Sequence, residues 1–241
     1  MKVFIGVLAF ASFASSLDYP RLQIVDRNMY SEGKKNITIA YLLQGFSSQE
    51  ATLTSGVGKW LIKVQKQAET ELTKKLSVPI ILETTGIKVP GGELPYLLST
   101  WISSGQMHAD TVVDYLKTFF RKSFNPDIIC LVTKATLYDS TQRKYLGYSK
   151  YTNLCNGLVP MLLQYNNPGE NTGVLLSTLI QSSISPDVRS RWKDMTEREK
   201  DFYLNGCNKR YKERKNQNSD EYYPVPIYKD EVYKNGEYAY Y

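Results

Sequence analysis

One histidine in 241 residues limits what this chain can do chemically. A hydrolytic zinc site needs several nitrogen or sulfur ligands held together. His108 and three cysteines, two of them expected to be bonded to each other, cannot supply that set. A serine triad needs an imidazole base, and His108 is the single candidate. No serine sits in a G-x-S-x-G elbow; Ser103, Ser104 and the serines of 171–185 have polar or helical neighbours. A cysteine nucleophile would require Cys130 to be exposed beside His108, and the apolar run around Cys130 predicts burial instead. Phosphate-cradling G-x-x-x-x-G-K-[ST] and G-x-G-x-x-G patterns are absent. Asp110 and Asp114, four apart on an expected helix, suit a cap and a solvated face, and His108 reads as a loop residue ahead of them. The expectation is a protein without catalytic residues, metal or cofactor.

Long apolar runs are also missing. Nothing approaches the roughly 18 residues of a membrane helix. The apolar stretch 3–13 follows Met1-Lys2 and ends at Ala14-Ser15-Ser16, the layout of a secretory signal peptide. Cleavage is expected before Leu17, giving a secreted, extracellular chain with no membrane insertion. The net charge is +6, and Lys209, Arg210, Lys212, Arg214 and Lys215 gather much of it. That run reads as a solvated linker, with attraction to acidic cell-surface polymers a weaker expectation. Without a basic groove interleaved with aromatics, nucleic acid is not an expected partner.

Secretion makes a disulfide expected, and three cysteines leave one over. Cys130 lies in an apolar strand pattern and reads as a small buried hydrophobe and free thiol. Cys155 is therefore paired with Cys207. Asn36-Ile37-Thr38 is a glycosylation sequon, usable at Asn36 if that strand edge is exposed.

What is present is an alternation of strands and helices. Residues 21–25 and 35–43 are strand candidates, whereas 46–54 carries no usable period. Val57, Trp60, Leu61, Val64, Ala68 and Leu72 recur at helical spacing over 57–76, with Ser55 as N-cap. A strand over 78–89 ends at Pro90-Gly91-Gly92, and 94–102 is a surface loop or short helix. A second helix over 110–122 takes Asp110 as N-cap and Val113, Leu116 and Phe120 as its apolar face. Strands follow at 127–132 and 145–149, then an apolar helix over 171–185 with Leu175, Leu176, Leu179 and Ile180. Pro186 breaks the chain, and Thr196 with Glu199 makes the capping box of a last helix before Cys207. This order predicts an α/β fold: a twisted mixed sheet of about four to five strands packed with helices. Residues 17–208 are assigned to that domain. Residues 209–241 are assigned to a basic, then tyrosine-rich tail, expected to be extended or disordered. Tyr222, Tyr223, Tyr228, Tyr233 and Tyr238 in it are candidate contacts.

From about Arg21 to Asn208 the order of elements resembles the reprolysin-like metzincins, in particular the N-terminal subdomain. The helix 57–76 and strand 78–89 are similar to that family's first helix and second strand, and 127–132 to its third. The resemblance also implies the Cys155–Cys207 bond. Where that family carries HExxH, this chain has Leu179, Ile180, Gln181, Ser182 and Ser183, and Pro186 and Arg191 follow too closely to leave room for a third histidine and methionine turn. No catalytic residue carries over. A second resemblance rests on CLVTKATLYD, GYSKYTNLCNGLVPMLLQY, LIQSSISP and the tyrosine-rich end. These look like the tick salivary immunosuppressants, the thirty-six-kilodalton saliva protein type. That resemblance implies a secreted non-enzymatic protein that binds a host immune protein or leukocyte surface and suppresses T-lymphocyte responses. Two alternatives stand beside it. One is a metalloprotease-like enzyme with an unrecognised catalytic set. The other is a chemokine or coagulation-factor binder acting through the tail, with or without sulfated tyrosines.

Overall fold

The computed structural model describes residues 22–26, 33–121, 125–165 and 171–213, with backbone alone at 22–26 and 208–213. The expected signal segment and residues 214–241, with all five candidate tail tyrosines, lie outside the described residues.

Strand β1 (Leu22–Asp26) is followed by β2 (Lys35–Gln44), in which every side chain from Ile37 to Leu43 is buried. A strand so apolar throughout needs cover on both faces. Alternation divides it: Ile37, Ile39, Tyr41 and Leu43 enter one core, and Ala40 and Leu42 the other. Helix α1 (Gly56–Leu76) covers the first face. Ser55 caps it by accepting from the Gly58 amide, as the sequence suggested. Strand β3 (Ile80–Lys88) returns parallel to β2.

Helix α2 (Leu94–Thr100), the short strands β4 (Ile102–Ser103) and β5 (Gln106–His108), and helix α3 (Ala109–Phe119) come next. The α3 cap is a correction. Asp110 is already inside the first turn, and His108 is the N-cap. Its Nδ1 accepts from the Thr111 amide, a role the sequence reading missed because histidine is not among the residues favoured there. Helix α3 buries Val112, Val113 and Leu116 in the second core.

Strand β6 (Ile128–Thr133) lies parallel to β2. Strand β7 (Thr136–Tyr138) and β8 (Lys144–Tyr145) then join β4 and β5 in a small four-stranded sheet. Strand β9 (Gly147–Tyr148) and β10 (Val159–Gln164) complete the main sheet, whose order is β3-β2-β6-β10-β9. The first four are parallel and β9 is antiparallel. The expected strand 145–149 is thus two strands in two sheets. Strand β10 was not expected because Pro160 breaks a strand pattern. It is tolerated because the Val159 amide bonds back to the Asp127 carbonyl, while β9 reaches only Leu162 and Leu163. The proline nitrogen therefore faces the side where no strand lies.

Helices α4 (Thr172–Ser182), α5 (Pro186–Arg191) and α6 (Glu197–Leu204) finish the body. Helix α4 lies close against α1 at Gly173, where a Cβ would stand 2.5 Å from that of Gln67. The capping box of Thr196 and Glu199 opens α6, and Pro186 starts α5 rather than a loop. Strand β11 (Lys209–Glu213) pairs antiparallel with β1, so the first five residues assigned to the tail form a strand. The α/β class and the five-stranded mixed sheet agree with the sequence reading.

Candidate binding surface

Helix α3 has its apolar side in the second core, which leaves its other side to solvent. At 100° per residue, Asp110, Asp114 and Lys117 fall on one flank of that side, and Tyr115 and Phe119 on the other. The segment after β9 lies along the first flank and is bonded to it. Lys150 Nζ is 2.7 Å from Asp110 Oδ1 and 2.7 Å from Asp114 Oδ2. The Tyr148 hydroxyl donates to Asp110 (3.1 Å) and that of Tyr151 to Asp114 (2.7 Å). Lys117 donates to the Leu158 carbonyl and to Asn153 Oδ1 and lies 4.8 Å from the Tyr151 ring centre. On the small sheet, the Tyr145 hydroxyl donates to Asp139 at 2.5 Å. Three tyrosines at 145, 148 and 151 thus each present a ring and lock the hydroxyl on a carboxylate.

The electrostatics follow the contacts. The Lys150 hydrogen bond holds the Asp110 carboxyl below its usual range. Partial burial, then the bond to Asp110, pushes the Tyr148 phenol up to about 12. Partial burial and Asp114 do the same for Tyr151, also to about 12. Burial works against the Lys150 ammonium, but its two carboxylates outweigh it and raise it. Hydrogen bonds from Thr141 and Tyr145 bring Asp139 down to about 2. The shifts of Asp110, Asp139, Tyr148, Lys150 and Tyr151 all favour the charge state that each has at neutral pH. On the other flank, Trp101 stacks near Tyr115 (4.8 Å) and Tyr115 near Phe119 (5.6 Å), all half-buried. Tyrosine, tryptophan and phenylalanine are among the residue types enriched at protein interfaces.

His108 sits at the head of this surface. Its Nδ1 is 2.7 Å from Thr111 Oγ1, a base-to-hydroxyl distance, and its ring meets Tyr138 edge-on at 5.2 Å. The same nitrogen accepts the Thr111 amide, so the contact is that of a helix cap.

Helix α4 carries Leu179 to Ser182 of the segment that the resemblance aligns with HExxH. Leu179 and Ile180 are buried in the first core. Gly147 of β9 lies on this helix: a Cβ there would stand 3.0 Å from Leu175 Cδ2 and from Leu179 Cδ1. The space between the edge strand and α4 is filled by leucine. Ser183 is buried, and its hydroxyl donates to the Leu179 carbonyl. Among the described residues no three or more of His, Cys, Asp and Glu are grouped to hold a metal ion.

Cys155 and Cys207 are joined as a disulfide, and Cys130 is a free, buried thiol that burial pushes well above its ordinary range. Asn36 is half-buried within β2 and paired to β3 at Ile81. No described helix is long and apolar enough to cross a membrane.

No protein-family model matches this chain, and no curated protein does. Among solved structures it is similar to the archaemetzincin of Methanopyrus kandleri, at 11% identity and a TM-score of 0.40, over 61% of this chain and 73% of that one.

Proposed function

We propose that this is a secreted, non-enzymatic binding protein that engages a host immune component, a plasma protein or leukocyte surface, and suppresses T-lymphocyte responses. The scaffold would be a metzincin-like α/β core whose catalytic helix has become structural. One observation carries the reading: the surface along α3, where Tyr148, Lys150 and Tyr151 are pinned to Asp110 and Asp114. A partner meeting it would find tyrosine rings already ordered, so little side-chain entropy is lost on binding. The sequence resemblance to salivary immunosuppressants supplies the class of partner. The leucines of α4 packed under Gly147 favour a binder over a hydrolase on the same frame. The test is mitogen-driven proliferation of host T lymphocytes with purified mature protein. Dose-dependent inhibition supports the reading, and proliferation unchanged over a wide concentration range refutes the T-cell assignment.

A further inference from the structure

Helix α1 carries a second surface that the immune-binding reading does not use. It runs 21 residues, Gly56–Leu76. Its apolar side, Val57, Trp60, Leu61, Val64, Ala68 and Leu72, is spent in the first core. Its flank toward β3 is spent too: Gln65, Glu69 and Thr73 bond to that strand. What remains to solvent holds Lys59, Lys63, Lys66 and Lys74, all exposed. At 100° per residue these four lie within about 80° of one another around the axis, and at 1.5 Å per residue they span about 22 Å. No carboxylate interrupts the row. Thr70 lies within it, Glu69 is turned to the Leu82 amide, and Glu71 lies on the far flank, half-buried. No ion pair to these four lysines occurs among the described residues.

We infer that the exposed face of α1 is a docking surface for a linear, sulfated polysaccharide. Charge complementarity selects a polyanion. The straight single row suits a ligand whose charges repeat along one line. A lipid surface fits less well, because the row offers one exposed apolar side chain, Ile62, and the helix has no second apolar stripe to insert. A nucleic acid would be expected to find stacking aromatics between the cations, and the row has none. The attraction is one of exposed charges, so it weakens steeply with salt. This inference stands apart from the immune-binding reading, since it concerns a different face and a different ligand.

The test is isothermal binding of the full mature chain to a short heparin oligosaccharide at low salt. The comparison is a variant with Lys59→Ala, Lys63→Ala, Lys66→Ala and Lys74→Ala. Alanine is the best helix former, so α1 stays intact. A control variant, Arg143→Ala, Lys144→Ala, Lys193→Ala and Arg198→Ala, removes as much charge from exposed positions elsewhere. The α1 variant should lose on the order of a hundredfold in affinity, from roughly three- to fivefold per lysine facing opposite charge, and the control far less. Desulfated oligosaccharide should not bind. Equal losses in both variants, or no loss in the α1 variant, would overturn the assignment to α1. Tighter binding to duplex DNA or to anionic phosphatidylserine vesicles at the same salt would overturn the polysaccharide.

Discussion

Gly147 shows how a single missing side chain fixes the packing of β9 on α4. A methyl there would meet Leu175 and Leu179 at 3.0 Å and Leu163 at 3.1 Å, so three leucine tips would have to give way together. Gly147→Ala should destabilise the fold by about 1–3 kcal/mol, the usual range for overpacking, read from chemical denaturation. Asp127 offers a different kind of test. Its carboxylate accepts from the Thr38 amide (2.8 Å) and hydroxyl (2.7 Å), and its own amide donates to Thr38 Oγ1 (2.9 Å). Burial nevertheless pushes this carboxyl up to about 7, against the hydrogen bonds from Thr38, which hold it down. Because the folded value lies above the unfolded one of about 3.9, the fold favours the protonated form. Its contribution is complete below pH ~4 and is lost as the pH rises through about 7. Asp127→Asn should flatten that part of the stability–pH curve, measured as the urea midpoint from pH 4 to 8. An unchanged slope would mean that another group is responsible.

The elements show which parts of the fold were legible beforehand. Helix α1 and strands β2, β3 and β6 were read within a few residues, because long apolar periodicity reports burial directly. Strand β10 was hidden by Pro160, whose missing amide matters only if a neighbour lies on that side, and no local pattern says so. The division of 144–148 between two sheets depends on which strands pair with it, β7 before and β10 after, and the contact of 148–151 with α3 depends on residues about 40 positions apart. The candidate surface was therefore invisible: Asp110 and Asp114 were seen, but their partners were not. His108 was recognised as the residue before a helix and not as its cap. The flank of α1 is equally non-local. Thr73, Glu69 and Gln65, spaced by four, meet the β3 backbone at Ile80 and Leu82. From Thr73 at Ile80 to Glu69 at Leu82, four helical residues advance about 6 Å and two strand residues about 6.6 Å, and Gln65 adds a second bond at Leu82. This row seals the outer edge of the sheet, which would otherwise invite another strand. Replacing all three by alanine should produce concentration-dependent self-association in sedimentation velocity. A variant that stays monomeric would show the edge to be protected by other means.

The body of the described residues is a five-stranded sheet with a core on each side, and a disulfide ties the segment between β9 and β10 to the turn that follows α6. Cys155 and Cys207 are 52 residues apart, and the loop they close contains β10 and all of α4 to α6. Chain-entropy reasoning puts the contribution of such a bond at about 4 kcal/mol. Reduction, or Cys155→Ala with Cys207→Ala, should lower stability by that order, read from denaturant unfolding. The loss should come without a change at the α3 surface, since Tyr148, Lys150 and Tyr151 precede the loop. Gly206 sits against the Cys155 carbonyl, where a Cβ would come within 2.0 Å, so this closure leaves no room for a larger residue.

The claim on which the functional account turns is that the chain acts by binding through the α3 surface and not by catalysis. It is tested most directly by the saturable binding of labelled mature protein to host leukocytes and plasma proteins, beside a variant carrying Tyr148→Ala, Lys150→Ala and Tyr151→Ala. The account predicts stoichiometric, reversible binding by the native chain and at least a tenfold loss in the variant, from the removal of central aromatic and charged anchors worth 1–2 kcal/mol or more together, with the fold retained. Equal binding by both proteins, or an effect on cells that continues to grow with time at substoichiometric protein, would contradict it.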